Sequence, residues 1–307
     1  MSLDLSLNDY EINFKGHLTG EIDGYVFANF KILLADLLIL NDGQQIPLTP
    51  TQPRASALLT TSFILSATIL LMTVQELGFQ ATPLGDLTLR RRAEPRLGGE
   101  VVFEVRLGDE YLMSSLFTDG ERRLAQLGLA PLAGELDVVI GGLGLGYTAA
   151  EALKNKWVGR LLVLELFQAV IDWHRDGLVP LAGALSQDDR CELRQGDFFD
   201  LARTGFDVSV PTRKFDAVLL DIDHSPEHFL DPGNGSLYTP EGLASVQGQL
   251  RPGGVFGLWS NDPGSPGFTE RLRKAFGSAA AHNIEFQNPY TGAASVNSVY
   301  VAKKAGK

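Results

Sequence analysis

Four glycines and an acid set the chemistry open to this chain. Gly141, Gly142, Gly144 and Gly146 follow the apolar run Val138-Val139-Ile140. Glu165 stands 19 residues past Gly146, after a second apolar run, Leu161 to Leu164. Glycines let the backbone turn sharply and let a ligand approach the main chain. A helix starting there aims its free N–H groups at that ligand. An acid at the end of the next strand suits ribose hydroxyls. This G-x-G-x-G turn, in a strand–turn–helix–strand context, predicts a nucleoside-type ligand; the alternative is a turn that serves packing alone. Further on, Gly196-Asp197-Phe198-Phe199 follows a third strand, Cys191 to Arg194, and Asp221 to His228 follows a fourth, Phe215 to Leu220. Ligands of open parallel sheets sit outside the carboxyl ends of the strands. Glu165, Asp197 and Asp221 thus bring carboxylates from separate strands to one crevice.

The elements that must position these groups alternate. Helical patterns run from Thr148 to about Lys156, Phe167 to Arg175, Thr239 to Leu250 and Phe268 to Phe276. Apolar runs at Val255 to Ser260, Ile284 to Asn288 and Ser295 to Ala302 complete the strands. Such alternation calls for an α/β fold, a Rossmann-like doubly wound sheet covered on both faces, over residues 131–307. Residues 81–130 read as a small β-rich module plus a helix. Asp86 to Arg92 alternates, Glu100 to Arg106 and Glu110 to Ser115 form a hairpin, and Asp119 N-caps a helix to Leu129. Residues 1–80 read as an N-terminal, helical extension of unknown role. Glu11 to Phe27 alternates like a strand, Phe27 to Leu40 suits a core helix, and Asn41-Asp42-Gly43 and Pro47 to Pro53 break the chain. Ala55 to Gln75 carries no charge and is long enough to span a bilayer, but its seven Ser and Thr residues suit a buried or interface helix as well.

Composition narrows the function. The net charge of −11 argues against a nucleic-acid surface. Arg90-Arg91-Arg92 reads as a solvated strand end. The single cysteine, Cys191, rules out an internal disulfide and reads as a small buried residue. With no signal-peptide pattern, the expected home is cytoplasmic and membrane attachment is not expected. His224 and His228, beside Asp221 and Asp223, have a spacing that can share a metal on a helix, but Ser225-Pro226 points to a turn, so no metal is expected. His174 and His282 read as packing or surface residues.

Gly141 to Gly146, Glu165, Gly196-Asp197, the strand ending in Asp221, and Leu250-Arg251-Pro252-Gly253-Gly254 resemble the class I S-adenosylmethionine-type methyltransferase fold. Their order and the β-module in front resemble the spermidine synthase (polyamine aminopropyltransferase) family, over about residues 81–307. The resemblance implies a seven-stranded sheet with its last strand antiparallel, a small β-domain over the pocket, and a homodimer. It implies that Gly141, Gly142, Gly144 and Gly146 cradle S-adenosylmethionine or its decarboxylated form as co-substrate, that Glu165 binds the ribose, and that Asp197 binds the adenine amino group with Phe198 beside the ring. Asp221 matches the first acid of the family's D-S-S-D-P segment, which handles the acceptor amine. The chain departs from the family at three places. Gly144 stands at or near the turn's aspartate, the second acid of Asp221-Ile222-Asp223-His224-Ser225-Pro226 has moved, and the family's diamine-holding Tyr and His have no match around Thr118 to Arg122.

The implied chemistry is alkyl transfer from a sulfonium to an amine, which needs alignment and a carboxylate to take the ammonium proton. Asp221, Asp223 and His224 are the candidate catalytic residues, and Asp221, Asp223, Glu227 and Asp231 form an acidic pocket for a cationic small-molecule acceptor. The rival for Asp221 is a structural carboxylate capping its turn. Tyr147 is placed to cover the nucleoside, and Trp259, Ser260 and Asn261 to line the acceptor side. Asn288 to Gly292 reads as a plain turn. Two other functions stay open: a methyltransferase, favoured by Gly144, and a non-catalytic nucleoside-binding or scaffolding protein.

Overall fold

The computed structural model describes residues 4–8, 11–15 and 74–306. The first unit contributes an antiparallel pair, β1 (Asp4–Asn8) and β2 (Glu11–Lys15). The readings of Phe27 to Leu40, Asn41 to Gly43 and Pro47 to Pro53 lie outside the described residues, as does all but the last two residues of Ala55 to Gln75. Among the described residues no helix is long and apolar enough to cross a membrane.

The second unit opens with a four-stranded antiparallel meander: β3 (Val74–Thr82), β4 (Gly85–Glu94), β5 (Glu100–Leu107) and β6 (Glu110–Ser114). Its sheet therefore starts ahead of residue 81. β3 belongs to it because its backbone pairs with β4 from Val74↔Arg92 to Thr82↔Gly85. Leu87 and Leu89, two apart on one face of β4, join Val105 of β5 in the core. They pack with Leu124 of α1 (Asp119–Leu129), so the module shares its core with the larger domain.

That domain is a seven-stranded sheet. Its strands are β7 (Leu136–Gly141), β8 (Val158–Glu165), β9 (Cys191–Gln195), β10 (Phe215–Leu220), β11 (Leu250–Ser260), β12 (Gly277–Gln287) and β13 (Ala294–Lys304). The order is β12-β13-β11-β10-β7-β8-β9, and the last strand, β13, runs antiparallel to both neighbours. Alternate residues face opposite sides. Val138, Ile140, Leu161, Val163, Ala217 and Leu219 pack with α1, α2 (Tyr147–Leu153) and α3 (Gln168–Arg175). Val139, Leu162, Leu164, Val218 and Leu220 pack on the other side, with α5 (Phe198–Thr204), α6 (Pro240–Gln249) and α7 (Pro266–Phe276). A short α4 (Ala182–Ser186) follows α3. Helix α2 ends at Leu153, short of Lys156. Strand order reverses between β7 and β10, so the glycine turn and Asp221 flank the switch point where such sheets bind ligands.

Two readings change with the fold. Arg92 is no solvated strand end: it bonds Glu104 Oε1 at 2.8 Å and Glu94 Oε2 at 2.5 Å, and donates to the Tyr290 hydroxyl at 3.0 Å. Asn288 to Gly292 is also more than a turn. Tyr290 donates to Glu94 at 3.0 Å and lies under Arg96, whose guanidinium is 4.3 Å from the ring centroid. Burial pushes the Glu94 carboxyl up, but Arg92 and Arg96 outweigh it and hold it at about 2. The β12–β13 loop thus straps the β-module to the sheet domain. Tyr290→Phe, which removes bonds to charged partners, is expected to cost about 1–2 kcal/mol by denaturant unfolding. An unchanged midpoint would mean the strap carries no load.

Candidate functional site

The glycine turn is built so that only glycine fits at two of its positions. Gly142 has φ 93° and its N–H bonds the Leu164 carbonyl at 2.9 Å; a Cβ there would lie 2.1 Å from the carbonyl oxygen of Asp221. Gly144 has φ 47°, and a Cβ would lie 2.3 Å from Met113 Sδ. Met113, on β6, also accepts the Leu145 N–H at 2.8 Å. The space beside Gly144, where the resemblance implies an aspartate, is therefore filled from the β-module by a thioether.

Glu165 clamps the turn to its own strand. Its carboxylate accepts the N–H of Leu143 at 3.0 Å and of Phe167 at 2.9 Å. Burial raises its pKa, while these backbone donors oppose that rise. His174 completes the underside. It is fully buried, its Nε2 lies 2.9 Å from the Gly144 carbonyl, and burial lowers its pKa. It is therefore a neutral imidazole whose Nε2–H donates to the turn. Sequence reading took it as ordinary packing; a histidine on a helix face carries no local sign of a partner 30 residues away.

Asp221 closes the other side of the crevice. Its N–H donates to the Gly141 carbonyl at 2.8 Å, and its side chain accepts the Thr148 hydroxyl at 2.6 Å. Burial pushes its carboxyl up to about 6, with the Thr148 bond opposing. It is half-buried, with no cation bonded to it among the described residues. Asp197 N-caps α5, accepting the Phe199 N–H at 2.8 Å and the Asp200 N–H at 3.4 Å through the same oxygen. Its other oxygen is uncommitted on an exposed residue.

Other expected residues are placed elsewhere. Phe198 does not lie open beside a ring site: it is 2% exposed, against Gly141 and stacked on Phe206 at 4.9 Å. The first residue of a helix capped by Asp197 turns into the core. Asp223 is 1% exposed and spent on its own loop, accepting from Leu230 N–H (2.9 Å), Asn234 Nδ2 (2.8 Å) and the Tyr238 hydroxyl (2.7 Å). It pins the segment after β10 and is not free to handle a substrate proton. His224 faces Glu110 of the β-module at 3.9 Å, and its carbonyl accepts the Asn261 N–H at 2.7 Å. Glu227 is exposed and Asp231 caps a 3-10 turn at Gly233, so the acidic pocket shrinks to Asp221. Ser225 to His228 is a turn, with His228 on Asp262. Tyr147 is buried under Arg122 and does not cover a nucleoside, and the Trp259 indole lies against Gly120. Burial pushes the Cys191 thiol up to about 12, and Asp188 adds to it. A shallow depression of about 570 Å³ between α7 and β12 holds none of these groups. Among the described residues no cluster of three or more His, Cys, Asp or Glu is arranged to hold a metal ion.

The arrangement joins a glycine turn, the buried acid that clamps it and a second acid with no bonded cation across the switch point. The fold matches a crystal structure of spermidine synthase in complex with the transition-state analogue AdoDATO, with TM-score 0.59, 20% identity, and 76% of this chain and 75% of that chain covered. It also matches the crystal structure of spermidine synthase from Thermotoga maritima, with TM-score 0.57, 20% identity, and coverage of 76% and 73%. The spermine/spermidine synthase domain matches residues 122–284, just over half of the 307 residues, from the start of α1 to β12. The chain belongs to the spermine/spermidine synthase domain family, whose members are aminopropyltransferases.

Proposed function

We propose that this protein transfers the aminopropyl group of decarboxylated S-adenosylmethionine to a cationic small-molecule amine. The observation that supports this most is Asp221, an acid with no bonded cation that is tied through its backbone to the glycine turn. The turn and Glu165 would hold the nucleoside, with the open oxygen of Asp197 facing the adenine edge. The amine nitrogen attacks the carbon next to the sulfonium, the carbon–sulfur bond breaks, and methylthioadenosine leaves as a neutral thioether. The ammonium proton passes to Asp221 and then to solvent. A carbon already activated by sulfonium asks the protein mainly for alignment and this one base.

A second reading, methyl transfer from intact S-adenosylmethionine, is favoured by one observation. Beside Gly144 stands an uncharged thioether, which neither attracts an ammonium nor repels a donor carboxylate. Calorimetric titration with each donor, followed by product analysis with diamines, decides between them. The expected result is preference for the decarboxylated donor and release of methylthioadenosine. Preference for the intact donor, with methylated product, would establish methyl transfer. Binding of neither would leave the non-catalytic reading.

A further inference from the structure

The Gly144–Leu145 peptide is gripped at both of its polar ends. Its carbonyl, on Gly144, accepts from His174 Nε2 at 2.9 Å, and its N–H, on Leu145, donates to Met113 Sδ at 2.8 Å. In a trans peptide these two groups point in opposite directions, so the grips come from opposite sides. His174 is fully buried on α3, and Met113 is part-buried on β6. Other N–H groups of the turn are bonded within the sheet domain: Gly142 to Leu164, Leu143 to Glu165 and Gly146 to Leu143. This peptide alone leans on the β-module. Its own backbone does not fix it, because Gly144, at φ 47°, is free to take either sign of φ. Helix α3 is seated on the module as well. Trp173, next to His174, leaves no room for a Cβ at Gly78 of β3.

We infer that Met113 and His174 are paired positioning residues that hold the Gly144–Leu145 peptide in the orientation the donor nucleoside requires, so that the seating of the β-module sets donor affinity. This rests on the glycine turn as the donor's seat. Neither residue has to touch the donor. Each tightens binding by raising the fraction of the turn already arranged for it. His174 serves as the donor of its pair because burial keeps the imidazole neutral with the proton on Nε2.

The test is calorimetric titration with 5′-deoxy-5′-methylthioadenosine, which has the nucleoside but neither donor's tail. Met113→Leu conserves volume and removes the acceptor, and His174→Leu removes the N–H. Each should weaken binding about three- to tenfold, the worth of one hydrogen bond. Met113→Gln returns an acceptor and His174→Gln a donor, and each should bind within about twofold of wild type. The double leucine variant should depart from the product of the single losses, because both act on one peptide. Both donors should weaken by the same factor as the nucleoside, and the loss should fall on donor KM more than on kcat. Thermal melting checks folding; if His174→Leu does not fold, Met113→Leu and the two glutamine variants decide. Unchanged or tighter nucleoside binding in Met113→Leu would overturn the inference. So would equal losses in the leucine and glutamine variants, or a loss confined to the tailed donors. If the wild type binds no nucleoside, the donor reading of the turn falls and the inference with it. A wild type that binds, beside a Met113→Leu that binds equally well, removes the inference alone.

Discussion

Asp221→Asn is expected to lower turnover by about 10²–10⁴-fold, the usual worth of a positioned general base. Donor binding should stay close to wild type, because the turn is held by Glu165, His174 and backbone bonds that the substitution leaves alone. Asparagine keeps an oxygen for the Thr148 hydroxyl, so the local geometry survives. The pH dependence gives a second signature. Burial lifts Asp221 to about 6, so the folded protein holds this proton more tightly than the unfolded chain. Stability from that group is full below the unfolded value, about 4, and is lost as pH rises through about 6. Removing the charge should therefore leave the protein as stable as wild type, or more so, at neutral pH. Catalysis needs the ionised form, so wild-type kcat/KM should fall as pH drops below about 6. Steady-state kinetics, donor calorimetry and thermal melting on one pair of samples separate these effects. Unchanged turnover would remove Asp221 from the chemistry.

Local signals carried much of this site into the sequence. Val138 to Gly146 joins a strand run to its glycines in one stretch, and Glu165 and Asp221 each end an apolar run. Their meeting at a switch point follows from the alternation of strands and helices. Residues defined by distant partners were not legible. Met113 touches the turn 32 residues on, and Tyr290 reaches Arg92 across 198 residues. Nothing in the text around either one names the partner. Asp223 and Phe198 misled for the opposite reason, because each neighbours a residue placed in the crevice. Yet the chain turns between Asp221 and Asp223 and again between Asp197 and Phe198, sending the second of each pair into the interior.

Gly142→Ala should be the most damaging single methyl among the described residues, because it strikes both halves of the site at once. A Cβ at Gly142 would lie 2.1 Å from the Asp221 carbonyl oxygen, 3.0 Å from its carbon and 3.1 Å from Ile222 Cγ1. The obstacle is backbone, and it cannot swing aside as a long side chain would. The Asp221 N–H is bonded to the Gly141 carbonyl, and the Gly142 N–H to the Leu164 carbonyl. Moving either strand end breaks the contact that aligns turn and base. The φ of 93° adds strain of about 1–3 kcal/mol for any residue with a side chain. The substitution should lower stability by at least about 2 kcal/mol in denaturant unfolding. Donor binding and turnover should be lost together, unlike Asp221→Asn, where binding survives. If Gly142→Ala folds with weak donor binding but near-normal turnover at saturation, the turn serves binding alone. Asp221 would then be aligned by Thr148 and β10 rather than by the glycine turn.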